Sequence, residues 1–238
     1  MDVQEATTRR LPDLKERHLP ENCRETVNTI LKETYGYEQF RNLEIYDNLF
    51  KGKEKLCISQ GQLIENVILE AEKASKGEAQ VDNILLTAPT GSGKSLLFQL
   101  PAIYLGKEYN LLTIVVSPLK ALIVDQVESL QELGYTRVAY ASSDLSPEQK
   151  KEVYRQVREG EIDLFYLSPE LLLSYDIKHF VGERRIGLVV VDEAHTVTTW
   201  GKEFRVDYWF LGRYLTALKQ TLGYGFPLFA LTATAVWN

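Results

Sequence analysis

The stretch Ala88-Pro89-Thr90-Gly91-Ser92-Gly93-Lys94-Ser95 decides how this chain is read, because of what stands on either side of it. An apolar run at residues 84–86 precedes it, and a helical run at residues 96–100 follows it. A strand, a glycine-rich loop and a helix in this order are typical of a phosphate-binding loop. The strict pattern has Gly where this chain has Ala88, so the match is to the relaxed form of the loop. The alternative is a glycine- and serine-rich turn whose lysine is simply solvated.

Each residue type in this loop has a reason in phosphate chemistry. Gly91 and Gly93 let the backbone curl without the steric cost of a Cβ atom, so successive N–H groups can point at one anion. The helix that follows adds its positive N-terminal end. Lys94 can reach the outer phosphates and act in catalysis, and the Ser95 hydroxyl can ligate Mg²⁺. The sequence therefore predicts an ATP and Mg²⁺ site made by Thr90, Gly91, Ser92, Gly93, Lys94 and Ser95.

Composition sets outer limits on function. The chain has 238 residues, of which 45% are hydrophobic and 25% charged, which is ordinary for a globular protein. Its net charge of -6 argues against a protein that coats nucleic acid with a generally basic surface, although a local positive groove remains possible. Two cysteines, Cys23 and Cys57, make neither a disulfide framework nor a four-thiolate zinc site, so we expect reduced thiols. The polar N-terminus and the short apolar runs predict no secretion signal and no membrane span.

Apolar runs alternate with helical segments after Asp82, which predicts an α/β fold with a mainly parallel sheet covered on both faces. The predicted strands are residues 83–87, 111–117, 137–141, 164–168, 188–191 and 228–231. The predicted helices are residues 94–105, 119–133, 147–158 and 208–222. Before Asp82 we predict a helical N-terminal extension over residues 1–82. Its helices are expected at residues 22–34, 43–50 and 60–74, followed by an exposed connector at residues 72–82.

Polar residues follow the carboxyl end of each predicted strand. In a parallel sheet these ends share one edge, where ligands bind. We therefore expect the loop at residues 88–95 to meet the polar stretches at residues 117–120, 142–144, 168–170, 192–195 and 232–234.

Two adjacent acids end the buried strand at residues 188–191. Asp192 can hold the Mg²⁺ that Ser95 also ligates, and Glu193 can orient and deprotonate an attacking water. Two solvated loop carboxylates are the alternative interpretation. His195 is a further catalytic candidate, either facing the outer phosphate or coupling to Thr232 and Thr234, although a lone histidine is more often structural.

An aromatic-rich segment follows at residues 199–214, with cations interleaved. Aromatic rings beside cations suit stacking on unpaired bases and contact with phosphates. For Trp200, Phe204 and Arg205 we favour a functional loop. For residues 208–214 we favour the face of a helix that packs on the core.

Taken in order, three motifs resemble the motor domain of superfamily-two helicases. They are Ala-x-Thr-Gly-x-Gly-Lys-Ser at 88–95, Asp-Glu-Ala-His at 192–195 and Thr-Ala-Thr at 232–234. Within that superfamily, residues 200–208 resemble the aromatic-rich loop of RecQ-type DNA helicases. Residues 98–102, 117–126 and 166–170 are also similar to RecQ-type motifs.

The resemblance implies a RecA-like fold and ATP-driven 3′-to-5′ movement on single-stranded or partly duplex DNA. It implies that Ser117, Lys120 and Ser168 contact the DNA backbone. It also implies that the loop with Trp200, Phe204 and Arg205 joins DNA binding to hydrolysis.

The chain departs from the family pattern in three places. The family has Phe-Arg shortly before an adenine-reading Gln. The resemblance therefore implies that Phe40 and Arg41 bind the nucleotide. Here an insertion separates them from Gly61-Gln62, and Gln62 is our predicted adenine reader. Lys202 stands where the family's aromatic loop usually has His.

The third departure is the end of the chain, which comes soon after Thr-Ala-Thr. We therefore expect residues 83–238 to be the first motor domain and the second RecA-like domain to be absent. The implied location is the cytoplasm of a prokaryote or otherwise the nucleus.

Two rival functions stay open at this point. One is an RNA-directed or chromatin-type translocase of the same superfamily. The other is a nucleotide-gated nucleic-acid sensor that does not unwind.

Overall fold

Two β-sheets form the strand framework of the computed structural model, which describes residues 19–46, 55–89, 91–194 and 206–233. A two-stranded sheet precedes a six-stranded one. The strands are β1 (Asn42–Tyr46), β2 (Lys55–Ser59), β3 (Ile84–Thr87), β4 (Leu112–Val116), β5 (Val138–Ala141), β6 (Leu164–Leu167), β7 (Ile186–Val191) and β8 (Leu228–Thr232). All six strands predicted after Asp82 are present, with small differences at their ends.

Helices connect these strands. They are α1 (Glu25–Ile30), which continues as a π-helical turn (Leu31–Tyr35), α2 (Gln60–Ser75), α3 (Leu96–Tyr109), α4 (Lys120–Glu132), α5 (Pro147–Arg158), α6 (Pro169–Ser174), α7 (Ile177–Val181) and α8 (Val206–Leu222). The short helices α6 and α7 were not predicted. None of the helices in the described ranges is long and apolar enough to cross a membrane.

The large sheet has the strand order β3-β8-β7-β4-β6-β5, and every neighbouring pair is parallel. Strands β4, β6 and β7 are buried along their whole length because helices cover both faces. Alternate strand residues enter two separate cores. Val115 and Val190 pack with α2, α3 and α4 on one face. Val116 and Val189 pack with α5, α6, α7 and α8 on the other. The predicted α/β class with a parallel sheet is confirmed.

The helix predicted at residues 43–50 is wrong, because residues 42–46 form strand β1. Leu43 and Ile45 are buried while Asn42 and Glu44 are exposed, which is the two-residue period of a strand. β1 pairs antiparallel with β2, with Leu43 opposite Ile58 and Ile45 opposite Leu56. The alternation was visible in the sequence, but five residues are too few to separate it from a short helix without the partner strand.

The predicted connector at residues 72–82 is also partly wrong. Helix α2 continues through Ser75, and Glu72 is buried rather than exposed. Glu72 is held by Arg24, which also pairs with Glu65. The Arg24 guanidinium lies 2.6 Å from Glu65 Oε1 and 4.7 Å from the centre of the Tyr104 ring on α3. This one side chain therefore fastens the N-terminal segment to α2 and α3.

Apolar packing joins the same elements. Val27, Ile30 and Leu31 belong to the same continuous core as Ile64 of α2 and Leu97 of α3. The segment before Asn83 thus shares its core with the large sheet, and it contains a hairpin as well as helices.

Removing the Arg24 charge should destabilise the fold. In Arg24→Met, the buried carboxylates of Glu65 and Glu72 lose their cation; these two residues are 7% and 8% exposed. Loss of one partner of a fully buried pair costs about 3–5 kcal/mol, and because Arg24 is partly exposed we expect about 2–3 kcal/mol. Urea unfolding measures the change. The matched control is Lys32→Met, which breaks the exposed pair with Glu38 and should cost less than about 1 kcal/mol.

The stability of the wild type and that of Arg24→Met should respond differently to pH. Although burial opposes ionisation, the hydrogen bonds from Arg24 and Tyr109 hold the pKa of Glu72 below its ordinary value of 4.5. A carboxyl group whose pKa is lowered by folding stabilises the folded protein above pH 4.5. This stabilisation is lost as the pH falls through the lowered pKa of the folded state. The deficit of Arg24→Met should therefore shrink on acidification, and a deficit that stays constant down to pH 3 would contradict this account.

Candidate nucleotide-binding site

Backbone hydrogen bonds bring the predicted site residues to one edge of the large sheet. The Ala88 amide donates to Thr232 O at 3.0 Å, which fixes the start of the glycine-rich loop against β8. The Asp192 amide donates to Val116 O at 2.9 Å, and the Ala194 amide donates to Leu231 O at 2.8 Å. The loop, the two acids and Thr232 thus lie side by side, although they are far apart in sequence.

The glycine-rich loop has the backbone shape that the sequence predicts for anion binding. Gly91 and Gly93 both have φ of +79°, a region that side chains other than glycine rarely adopt. Among the described residues, the amide N–H groups of Gly93, Lys94 and Ser95 have no hydrogen-bond acceptor. Three successive unmatched donors at the start of α3 form a nest for an anionic group.

The Lys94 ammonium lies folded over its own loop. Its Nζ donates to Ala88 O at 3.0 Å and to Pro89 O at 3.1 Å. Carbonyl oxygens are weaker partners for an ammonium than phosphate oxygens, which carry a full charge. A phosphate that enters the loop can therefore take Lys94 from these carbonyl groups.

The glutamine beside this loop is Gln60, not the predicted Gln62. Gln60 Nε2 donates to Ser92 O at 3.2 Å, and its Oε1 accepts from the Arg41 amide at 3.1 Å. The Gln60 amide in turn donates to Arg41 O at 2.9 Å. The β1–β2 hairpin therefore leaves the fold at Arg41 and returns at Gln60, so the insertion predicted between Arg41 and the glutamine is this hairpin.

Gln62 has a different task. Its Oε1 accepts from the Ser59 amide at 3.1 Å and closes a capping box at the start of α2, while its Nε2 donates to Pro20 O. The sequence interpretation chose Gln62, in the pair Gly61-Gln62, across an insertion after Arg41, and it did not consider Gln60. The signal that could have found it is the N-cap Ser59, which places Gln60 at the first position of the helix.

A cleft of about 370 Å³ lies between the π-helical turn and the glycine-rich loop. Its lining includes Tyr35, Arg41, Gln60, Gly93 and Ser95. Tyr35 stacks on Tyr37, with ring centres 6.2 Å apart. Aromatic rings, a cation and an amide around one cleft suit a flat heteroaromatic base next to the phosphate loop.

Phe40 does not line this cleft. A Cβ atom added at Gly61 would lie 2.6 Å from Phe40 Cδ2, so the ring packs directly against the backbone of α2. Phe40 therefore positions α2 and the adjacent Arg41 and makes no contribution to the cleft wall.

The two acids after β7 have unusual backbone geometry. Glu193 has φ of +50°, and its amide donates to Asp192 Oδ1 at 2.9 Å. Left-handed backbone is uncommon for residues other than glycine and persists where neighbouring structure holds it, often at functional sites. Here the hydrogen bonds of Asp192 and Ala194 to adjacent strands hold it.

The described residues contain no cluster of three or more histidine, cysteine or acidic side chains that could hold a metal on its own. Mg²⁺ does not need such a cluster, since it commonly binds through one or two carboxylates together with phosphates and water. Ser95 and Asp192 are the chemically suitable donors at this edge.

The predicted nucleic-acid contacts differ in exposure. Lys120 is exposed at the start of α4, where its Nζ contacts Ser143 and Asp144. Ser168 caps α6 by accepting the Leu171 amide at 3.3 Å. Ser117 is 2% exposed, and its hydroxyl has no hydrogen-bond partner among the described residues. Lys120 is therefore the most accessible of the three.

Several predicted site residues lie outside the described residues. They are Thr90, His195, Trp200, Phe204, Arg205 and Thr234.

The chain matches the family model of the DEAD/DEAH box helicases over residues 60–237. It is 35% identical over 217 residues to the ATP-dependent DNA helicase RecQ of Synechocystis, covering 89% of this chain and 38% of that protein. It is 30% identical over 210 residues to RecQ of Haemophilus influenzae, covering 88% of this chain and 28% of that protein. The chain thus spans well under half the length of these relatives.

Solved structures agree on the fold. The helicase MrfA bound to DNA and AMPPNP superposes with a TM-score of 0.59 at 21% identity, over 93% of this chain and 27% of that one. The UvsW helicase of bacteriophage T4 gives a TM-score of 0.51 at 16% identity, over 91% of this chain and 62% of that one.

Removing the Lys94 ammonium should weaken nucleotide binding. Hydrogen bonds to charged groups are worth about 1.5–3 kcal/mol, so Lys94→Ala should raise the Kd for Mg²⁺-ATP by about tenfold or more. Calorimetric titration measures it. Lys107→Ala, exposed near the other end of α3, is the matched control and should leave the Kd unchanged. Equal affinity of Lys94→Ala and wild type would remove this loop from the site.

Proposed function

Since the chain belongs to the DEAD/DEAH box helicase family and has a RecQ-like sequence over most of its length, we propose that it is the ATP-binding motor domain of an ATP-dependent DNA helicase. The observation that carries this proposal is the nest of unmatched amides at residues 93–95, held by β8 beside the strand that ends in Asp192 and Glu193. The fold is that of a RecA-like helicase domain.

The proposed nucleotide site has a phosphate end and a base end. At the phosphate end, residues 90–95 surround the phosphate groups, and Lys94 moves from its own carbonyl groups to the outer phosphates. Ser95 and Asp192 would hold Mg²⁺, which supplies charge neutralisation at the phosphates when bound.

At the base end, Gln60 is proposed to read adenine and Arg41 to contact the base or ribose. Gln60 Nε2 donates to Ser92 O at 3.2 Å and to Gly93 O at 3.5 Å, and its Oε1 accepts from the Arg41 amide. One acceptor position of Oε1 remains, and a base that enters the cleft can take the donor that makes the long bond to Gly93 O. Paired donor and acceptor groups are what an amide needs to recognise adenine.

Glu193 is proposed as the general base. A carboxylate at the sheet edge beside the phosphate loop can orient a water and accept its proton, and such a base contributes typically about 10²–10⁴-fold in rate. Its left-handed backbone directs this residue differently from Asp192, which would allow adjacent acids to serve different partners.

DNA is proposed to lie along the same sheet edge, at the exposed Lys120 and the half-buried Ser168, with Ser117 beneath them. Lys120 binds a hydroxyl and a carboxylate of the loop after β5, so a phosphate must displace Asp144 to reach it. The loop with Trp200, Phe204 and Arg205 is proposed to couple this DNA to hydrolysis, together with His195, Thr232 and Thr234.

Unwinding requires more than one motor domain in this proposal. We expect residues 83–238 to act with a second RecA-like domain, in 3′-to-5′ movement on single-stranded or partly duplex DNA. The proposed location of the protein is the compartment that holds DNA, which is the cytoplasm of a prokaryote or the nucleus.

The choice of glutamine can be tested directly. Loss of a paired amide–adenine contact costs about 1–3 kcal/mol, so Gln60→Ala should reduce the preference for ATP over GTP by about 5- to 150-fold. Gln62→Ala is the matched control: loss of its capping bond should lower stability by about 1 kcal/mol and leave the preference unchanged. Titrations with both nucleotides measure it. If Gln62→Ala, and not Gln60→Ala, loses the preference for ATP over GTP, Gln62 is the adenine reader, as the sequence predicted.

The role of Glu193 separates binding from chemistry. Glu193→Gln keeps the shape of the side chain but cannot take a proton. The test uses the complete protein, because we expect residues 1–238 alone to hydrolyse ATP slowly or not at all. We expect the Kd for Mg²⁺-ATP to stay within about threefold while single-turnover hydrolysis with saturating DNA falls about 100-fold. Hydrolysis at the wild-type rate would show that another group is the base.

A further inference from the structure

A closed set of hydrogen-bonded side chains lies directly behind the proposed Mg²⁺ ligand Ser95. Gln126 Nε2 on α4 donates to Ser95 Oγ at 2.9 Å. Gln126 Oε1 accepts from Gln99 Nε2 of α3 at 3.1 Å and from the Tyr166 hydroxyl of β6 at 3.1 Å. We refer to Gln99, Gln126 and Tyr166 as the amide relay. It links three elements of the fold to one hydroxyl of the phosphate loop.

The bonding of the relay fixes its orientation. The two acceptor positions of Gln126 Oε1 are both used, and its nitrogen is the only part that can donate to Ser95. Gln99 Nε2 also donates to the Tyr166 hydroxyl at 3.3 Å, and Gln99 Oε1 accepts from the Tyr35 hydroxyl at 2.9 Å. If Gln126 alone turned by 180°, its Nε2 would face the Gln99 Nε2 donor, and the bond between the two amides would be lost, which is costly in a low-dielectric interior. A displacement of Ser95 Oγ is therefore passed to Gln126 and is not absorbed by a flip of its amide.

The same residues lie on the elements that carry the proposed nucleic-acid contacts. Gln126 belongs to α4, which begins at Lys120. Tyr166 is followed in the chain by Leu167, the last residue of β6, and by Ser168, which caps α6. On the other side, Tyr35 lines the cleft next to the phosphate loop. The relay thus contacts Tyr35 at the base end of the site and Ser95 at the metal end. It also lies on α4, which begins at Lys120, and on β6, which precedes Ser168.

The second metal ligand also acts on the relay. Tyr166 is 1% exposed, and burial raises the pKa of its hydroxyl, which the charge of Asp192 raises further. A cation shared by Ser95 and Asp192 would change the field at one end of the relay and the hydrogen bond at the other.

We propose that Gln126 is a positioning residue that couples Mg²⁺-nucleotide binding at Ser95 to DNA binding at Lys120 and Ser168. This inference rests on the proposed function, because it requires that the chain binds both ligands. It adds a route through α4 and β6 that is separate from the loop at residues 200–205. Coupling between two binding sites is reciprocal, so either ligand should change the affinity of the other by the same factor.

The test measures this factor in the 238-residue chain. A fluorescent oligothymidine is titrated with and without saturating Mg²⁺ and a non-hydrolysable ATP analogue, and the ratio of the two Kd values is the coupling factor. Allosteric factors are typically about 5- to 150-fold. We expect Gln126→Met, which keeps the length of the side chain but makes no amide bonds, to bring the factor below about twofold. Tyr166→Phe, which removes one hydroxyl, should lower it partially.

Gln131→Met is the matched control, since Gln131 is exposed on the same helix and lies outside the relay. It should keep the wild-type factor, and thermal melting should show that all variants are folded. A wild-type factor retained in Gln126→Met, or a factor near one in the wild type with both ligands binding, overturns the relay and leaves the proposed function intact. Failure of the wild type to bind either ligand would overturn the proposed function itself. A purely structural role for Gln126 would lower the melting temperature and leave the factor unchanged.

Discussion

The parallel pairing of β8 between β3 and β7 is the constraint on which the site depends. β3 precedes the phosphate loop and β7 ends in the two acids, but the two strands are not neighbours. β8, the last strand among the described residues, lies between them and bonds to both, with Thr87 opposite Thr232 and Val191 opposite Ala230. The phosphate loop and the acids therefore reach their relative positions only when the C-terminal strand is in place, and Thr232 sits between them for the same reason.

The opposite edge of the sheet shows that buried charge by itself does not mark the site. Asp163 is fully buried and pairs with Arg137 and Arg184. Burial lowers the pKa of Arg184, and the charge of Asp163 opposes that effect. Gly106 is required beside this pair, because a Cβ atom there would lie 2.2 Å from Asp163 Cγ. The group of Asp163, Arg137 and Arg184 holds the start of β6 against the adjacent segments of the chain. It lies at the amino ends of the strands, whereas ligands bind at the carboxyl ends of a parallel sheet, so its role is structural.

The polar residues at the two edges of the large sheet have different roles. At the amino ends the charges are paired with one another, and Asp163 and Arg184 are closed to solvent while Arg137 is partly exposed. At the carboxyl ends the donors of the phosphate loop are unmatched among the described residues, and Lys94 holds only carbonyl oxygens. An edge with spare donors can accept an anion, whereas a closed ion pair cannot. The relay of Gln99, Gln126 and Tyr166 lies between these extremes, since its side chains bond to one another yet also reach Ser95.

The sequence by itself determined the six strands after Asp82 and the longer helices between them, the phosphate loop and the acids after β7, because these features depend on local periodicity and on motifs of adjacent residues. Leu188–Val191 or Gly91–Lys94 can be recognised without knowing their neighbours in space. The hairpin of β1 and β2, the position of Gln60 beside the phosphate loop, the burial of Ser117 and the hydrogen bond between Gln126 and Ser95 were decided only by the tertiary structure. Each of these depends on a partner that is distant in sequence, such as Ser92 for Gln60 or α3 for Gln126. Amide side chains are especially hard to assign from sequence, because either end of a glutamine can cap a helix, bridge two loops or recognise a base, and only the surrounding donors and acceptors settle which.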